Sequence, residues 1–150
     1  MREEVVKKHR KQWVKALRNG EYEQGKNNLR SELSPGIDSP VEYQYCCLGV
    51  ACDLSRLSDW TINENGDWHY DGYYSYIGSD DVREYYGLAS SVGSFYLDAL
   101  PPALYRAVKS FVREEDIGDN TMTLVGLNDR GASFDLIADV IEEEPRGLFR

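Results

Sequence analysis

The chain has 150 residues, 41% of them apolar and 29% charged, with a formal net charge of −9. That length suits one domain with its own core, and no run approaches the roughly 18 apolar residues needed to span a bilayer. The acidic balance argues against a general nucleic-acid binder, because phosphate recognition needs neutralising cations.

The opening segment runs against that balance. Residues 1–30 carry nine Lys/Arg against four Glu, and residues 31–150 carry eight against twenty-two Asp/Glu. Residues 3–18 have the spacing of an amphipathic helix: Val5, Val6, Trp13, Val14 and Leu17 on one side beside His9, with Lys7, Lys8, Arg10, Lys11, Lys15 and Arg18 favouring the other. Asn19-Gly20 supplies a left-handed stop. The cations read as a solvated face that pairs with the acidic body of the same chain, with an anionic partner as the alternative. Met1-Arg2-Glu3-Glu4 has no apolar signal region, so the expected location is cytoplasmic, that of the bacterial host cell if the chain is viral.

Glu21 to Pro40 is polar and broken by Gly25, Pro35, Gly36 and Pro40, which predicts a loop with an ordered piece near Leu29–Leu33. All three cysteines follow within Cys46–Cys52, on a predicted buried helix whose apolar face is Cys47, Val50, Ala51, Leu54 and Leu57. An odd number of cysteines, two adjacent, does not make a disulfide framework. Gly49 costs about 1 kcal/mol of helix propensity against alanine, which points to close approach of another backbone. Trp60-Thr61-Ile62 and Trp68-His69-Tyr70 flank Asn65-Gly66 and predict a hairpin. A two-residue turn would oppose Glu64 and Asp67, so a longer loop is expected.

The tyrosine-rich run Asp71–Gly78 predicts a third strand or an exposed binding face, with plain packing of Tyr76 and Ile77 beneath the hairpin as the alternative. Ser79 caps a short helix through Tyr86, with Gly87 as its stop. Pro101-Pro102 opens another helix with Leu104, Val108, Phe111 and Val112 on its apolar face. Asp116–Asn120 reads as a turn and Thr121–Val125 as a strand. Ser133 caps the last helix, which buries Phe134, Ile137, Ala138 and Ile141 and ends at Glu142-Glu143-Glu144-Pro145. The sum is a single α+β domain over residues 1–150, with four or five helices around a small antiparallel sheet or hairpin.

Three blocks carry a resemblance. Trp13, Ala16, Leu17, Arg18, Gly20, Tyr22, Gln24 and Gly25 fit W-x-x-A-L-R-x-G-x-Y-x-Q-G. Residues 46–54 fit C-C-L-G-V-x-C-D-L, and residues 127–139 fit L-N-D-x-G-x-S-F-x-x-I-A-D. Together they resemble a set of small proteins encoded by tailed bacteriophages and bacteria. The resemblance implies an accessory protein acting in a bacterial cytoplasm and carries no catalytic residue with it. The blocks cover about a third of the chain; the tyrosine-rich middle lies outside them.

The residues that bear chemistry point several ways. A zinc site needs about four convergent ligands, but adjacent Cys46 and Cys47 diverge by about 100° on a helix, and only His9 and His69 remain to join them. No metal or cofactor is expected. A thiol enzyme would use Cys46 or Cys47, acidified at a helix N-terminus, with His69 as base oriented by Asp67 or Asp71. The stretch resembles the aromatic-Asp-Cys-Ser-Gly turn of NlpC/P60 cysteine peptidases, yet Tyr45 occupies the acid-bearing position and Gly49 is displaced. Asn128-Asp129-Arg130-Gly131 reads as a turn in which Asn and Asp bond their own backbone and Gly131 takes a positive φ. A helix-turn-helix over Gly131–Ala138 is excluded by the phosphate-repelling Glu142–Glu144. The leading expectation is non-enzymatic binding to a host protein through Trp68, Tyr70, Tyr73 and Tyr74. The alternatives are the thiol enzyme and a small-ligand-sequestering protein with an aromatic-lined pocket.

Overall fold

The computed structural model describes residues 2–33, 41–113 and 120–150. Helix α1 (Glu3–Arg18) buries Val6, Trp13, Val14, Ala16 and Leu17, and Gly20 at φ +79° turns the chain away. Val5, expected on the buried side, is exposed because the helix enters the core only from Val6 onward.

The segment read as a loop supplies two strands of a three-stranded sheet, one of them at the ordered piece expected near Leu29–Leu33. Strands β1 (Glu23–Gln24), β2 (Arg30–Leu33) and β3 (Glu42–Tyr45) lie in the order β1-β3-β2; β1 runs parallel to β3, and β2 runs antiparallel to it. The Pro35, Gly36 and Pro40 part of the expected loop lies outside the described residues.

Helix α2 (Cys47–Ser55) follows and is the centre of the molecule, packed against α1, β3 and two later helices. Cys47, Leu48, Gly49, Val50, Ala51 and Cys52 are all buried, so the helix is enclosed on every side rather than along one stripe. Arg56 in the left-handed conformation ends it, which leaves Leu57 outside the helix and exposed. A Cβ on Gly49 would stand 1.8 Å from the Leu29 carbonyl oxygen, so the expected close approach is that of the chain entering β2.

Strands β4 (Trp60–Ile62) and β5 (Trp68–Tyr70) form the hairpin. Asn63 N–H donates to the Asp67 carbonyl, and the Asn63 side chain accepts from Asn65 and Asp67 N–H. Asn63 therefore faces Asp67 across a three-residue loop with Gly66 at φ +84°, and Glu64 is relieved of the opposition to Asp67 that a two-residue turn imposes. Asp71 and Gly72, both at positive φ, turn the chain back so that Tyr73 bridges Tyr70 once.

Helix α3 (Asp80–Tyr86) has the Ser79 cap and Gly87 stop. Strand β6 (Ser94–Tyr96) pairs antiparallel with β7 (Thr121–Thr123), and α4 (Pro102–Lys109) lies between them in sequence. Of the apolar face expected for α4, only Val108 is fully buried. The expected strand Thr121–Val125 stops at Thr123, whose hydroxyl accepts Gly126 N–H at 2.9 Å and starts helix α5 (Leu124–Asp129). Helix α6 (Phe134–Glu143), capped by Ser133, buries the expected Phe134, Ile137, Ala138 and Ile141 together with Val140. The fold is α+β, with six α-helices and three small sheets among the described residues, rather than one sheet.

Candidate functional site

The three sequence blocks meet at one buried amide. Asn128, at the end of α5, has no exposed surface. Its Oδ1 accepts from Cys47 N–H at 3.1 Å and from Gln24 Nε2 at 3.1 Å, and its Nδ2 donates to the Gly25 carbonyl at 2.7 Å. Gln24 also donates to the Ala132 carbonyl and accepts from Phe134 N–H, so it helps to cap α6. Around this centre, Trp13 Nε1 donates to the Cys47 carbonyl, Tyr22 donates to the Asp53 carboxylate at 2.6 Å, and Arg18 pairs with Asp139 and Glu142. Asn27 N–H donates to the Asp129 carboxylate. Asn128 and Asp129 therefore bond partners far along the chain, not only the local backbone that a simple turn would use. Gly131 does take a positive φ, +100°. The Asn128 amide is thus satisfied within the protein and holds structure.

The thiols are sealed into the same region. Cys46 is the N-cap of α2, and its sulfur accepts Gly49 N–H at 3.4 Å. Cys47 donates to the Leu124 carbonyl. Burial pushes the Cys46 thiol up to about 12, outweighing the backbone N–H groups that favour the thiolate, and it raises Cys47 and Cys52 well above the usual range. The dipole argument for an acidic thiol is thus overridden by desolvation. His69 stacks edge-on against Tyr74 at 5.7 Å, and among the described residues no hydrogen bond joins it to a thiol. The Asp71 carboxylate accepts from Ser58 instead.

Two consequences can be measured. The native protein is expected to resist a disulfide reagent at neutral pH and to react at all three cysteines once urea unfolds it; rapid native labelling would contradict the sealed arrangement. Because a raised thiol pKa keeps the proton bound in the folded state, this contribution to stability is complete below about pH 9 and is lost as pH rises toward about 12. The unfolding free energy measured by urea titration is expected to fall across that window, at up to about 1.4 kcal/mol per pH unit for each thiol.

The aromatic residues divide into two groups. On one face of the hairpin, Trp68 meets Tyr43 edge-on at 5.6 Å, and Trp60 meets Tyr45 and Tyr70. The Arg30 guanidinium fills the space between them, 3.4 Å from the Tyr43 ring and 4.2 Å from Trp68. The room that an aromatic-lined ligand pocket would offer is occupied by this side chain. Tyr70 is 2% exposed, and its hydroxyl accepts Ser58 N–H and bonds Ser55, so it supports the hairpin and offers no contact surface. Trp68 is half-buried.

The second group is outward. Tyr73, Tyr74 and Tyr76 are 38%, 49% and 38% exposed, and the Tyr73 and Tyr76 rings pack together at 5.0 Å. Their backbone is pinned: Tyr70 and Tyr73 exchange two hydrogen bonds, the Tyr74 carbonyl accepts Leu29 N–H at 2.7 Å, and Ile77 N–H donates to Ser91. Ile77 is buried beneath them. Of the four residues expected to touch a partner, Tyr73 and Tyr74 are thus outward, Trp68 is partly so and Tyr70 is enclosed. Of the pair expected beneath the hairpin if the run merely packs, Ile77 is buried but Tyr76 is outward; Arg30 was not anticipated, because its position between strands cannot be read locally.

Among the described residues, no group of three or more His, Cys, Asp or Glu side chains converges to hold a metal ion, and no helix is long and apolar enough to cross a membrane. A family described as Domain of unknown function (DUF8296) matches residues 1–145, and the chain belongs to that family. No curated protein and no solved structure matches the chain.

Proposed function

We propose that this DUF8296 protein is a non-enzymatic binding protein that engages a host protein through the outward tyrosines of the Tyr73–Tyr76 segment. The observation that carries this reading is their presentation: three large amphipathic side chains, well exposed, on a backbone fixed by hydrogen bonds to β5 and to the chain before β2. Rigid aromatic surface loses little entropy on association, which is why tyrosine dominates contact hot spots. The buried, protonated thiols and the satisfied Asn128 centre support a binding role over catalysis. The resemblance of the three blocks to proteins of tailed bacteriophages and bacteria supports a bacterial host protein as the partner, bound to blunt host defence or redirect host machinery.

The test is a pull-down from nuclease-treated bacterial lysate, run in parallel with wild type and a Tyr73→Ala/Tyr74→Ala variant whose circular dichroism and melting midpoint match wild type. One protein recovered near stoichiometry with wild type, and at least about tenfold less with the variant, is the expected result. Equal recovery by both, or no recovery by either, would sink the assignment.

A further inference from the structure

Charge is matched on one side of the molecule and left over on another. On α1, Arg10 pairs with Glu144 at 2.6 Å, and Arg18 pairs with Asp139 and Glu142, the intramolecular matching that the charge asymmetry predicts. The hairpin and the tyrosine segment have little such relief. Residues 57–82 hold six Asp/Glu and no Lys or Arg. Asp80 pairs with Arg83, but Asp59, Glu64, Asp67, Asp71 and Asp81 form no ion pair among the described residues.

The outward rings stand in this acidic stretch. Tyr73 and Tyr76 are 5.0 Å apart with their planes tilted by 48°, and both are well exposed. Tyr73 is seated on the Gly78 backbone, where a Cβ would stand 1.9 Å from its Cδ2. Asp71 lies two residues before Tyr73, and Asp80 and Asp81 open α3 just after Gly78. Elsewhere the protein itself completes such a surface. Tyr96, about as exposed, carries the Arg146 guanidinium 4.7 Å from its ring centre, and Arg146 reaches Asp98, two residues along from Tyr96, at 2.9 Å. At Tyr73 the ring and the nearby carboxylate are present, and no cation lies over Tyr73 or Tyr76 among the described residues.

We propose that the Tyr73–Tyr76 pair, with Asp71 and Asp81, receives an arginine side chain of the partner protein. This rests on the tyrosine surface being the partner-binding face, and it names the chemistry that the face recognises. A guanidinium is planar and more weakly hydrated than an ammonium, so it can lie on a ring while its N–H groups reach a carboxylate. Lysine gains less from the same rings because its compact charge holds water more strongly. Five unpaired carboxylates repel an anionic partner, and the net charge of −9 draws a basic one.

The experiment is an NMR titration of the isotope-labelled full chain with N-acetyl-arginine methylamide. The lysine and citrulline analogues are the controls; citrulline keeps the shape of arginine without its charge. Saturable shifts are expected at the amides of Tyr73, Tyr76 and Gly78, with arginine binding at least about threefold more tightly than lysine and citrulline leaving them unmoved. Asp71→Asn/Asp81→Asn removes two charges without touching the packing, and asparagine accepts the positive φ of position 71. It is expected to bind arginine about fivefold more weakly. Gly78→Ala keeps every ring and carboxylate but unseats Tyr73, and it is expected to lose the saturable shifts.

The proposal is overturned if no saturable shift is seen, if lysine or citrulline binds as tightly as arginine, or if the Asn variant binds unchanged. Shifts of the same amides on concentrating the protein alone would make a second copy the occupant and overturn it equally. A host protein retained through Tyr73 and Tyr74, without any arginine response, would leave the binding role standing and remove arginine from it. An arginine response with no host protein retained would do the reverse.

Discussion

Gly49→Ala is expected to destabilise the protein by about 3–5 kcal/mol, more than overpacking ordinarily costs. The added methyl would lie 1.8 Å from the Leu29 carbonyl oxygen, 2.7 Å from its carbon and 3.1 Å from the Leu29 Cα. Relief requires either the Leu29 backbone or α2 to retreat by more than about 1 Å. Neither is free to do so. The Leu29 carbonyl accepts Cys46 N–H at 3.2 Å, Leu29 N–H is tied to Tyr74, and the Leu29 side chain is fully buried. Helix α2 is enclosed on all sides, so a shift away from Leu29 drives it into α1 or α5. Alanine's better helix propensity returns only about 1 kcal/mol. The measurement is urea denaturation of both proteins, and for a chain of this size the melting midpoint should fall by roughly 6–20 °C. An unchanged midpoint would mean that the contact between Leu29 and α2 is not as close as described.

What could be read from the sequence is what local chemistry decides. Helix α1, the Ser79 and Ser133 caps, the Gly87 stop and the hairpin with its lengthened loop all follow from neighbours within a few residues. The missed elements depend on distant partners. Strand β1 has two residues, and β3 is Glu-Tyr-Gln-Tyr; neither carries an apolar signal, and they pair in parallel across about twenty residues. Thr121–Val125 has strand composition, yet Thr123 caps a helix at its midpoint because Leu124 is drawn into the core. The thiols show the same division. The position of Cys46 at a helix N-terminus is local and was legible, whereas its complete burial comes from elements far along the chain and reverses the direction of the pKa shift.

The site residues divide by strand pairing. Opposite Trp60 in the hairpin, Tyr70 is carried inward, while the turn at Asp71-Gly72 sends the following tyrosines outward. Composition marks a tyrosine-rich segment but not which rings face solvent. The three sequence blocks acquire their explanation only in three dimensions. Trp13, Gln24, Cys47 and Asn128 are joined by hydrogen bonds, and Tyr22 bonds Asp53 as a separate pair, so residues of all three blocks build a folding junction.

Asn128→Leu, which keeps the volume and removes the amide, is expected to cost about 3–6 kcal/mol. It strands the Cys47 N–H and the Gly25 carbonyl in a dry interior, at roughly 1–3 kcal/mol each, and removes one of the bonds made by Gln24. Asn128→Asp separates this polar account from packing. The carboxylate still accepts from Cys47, but it has lost the donor to Gly25 and stands beside Asp129, which the wild-type amide approaches at 3.4 Å. Burial and that neighbouring charge should raise its pKa in the folded state, so the neutral acid, whose O–H can donate to Gly25, is the form that the site accepts. A raised folded pKa means that stability is present at low pH and is lost as pH rises. The Asp variant should therefore approach wild type toward acidic pH and fall away toward neutrality, whereas the Leu variant should trail wild type by a constant margin. Parallel pH profiles for the two variants would show that Asn128 acts by shape alone; divergent ones would locate the hold between α2, α5 and the β1 segment in its three hydrogen bonds to Cys47, Gln24 and Gly25.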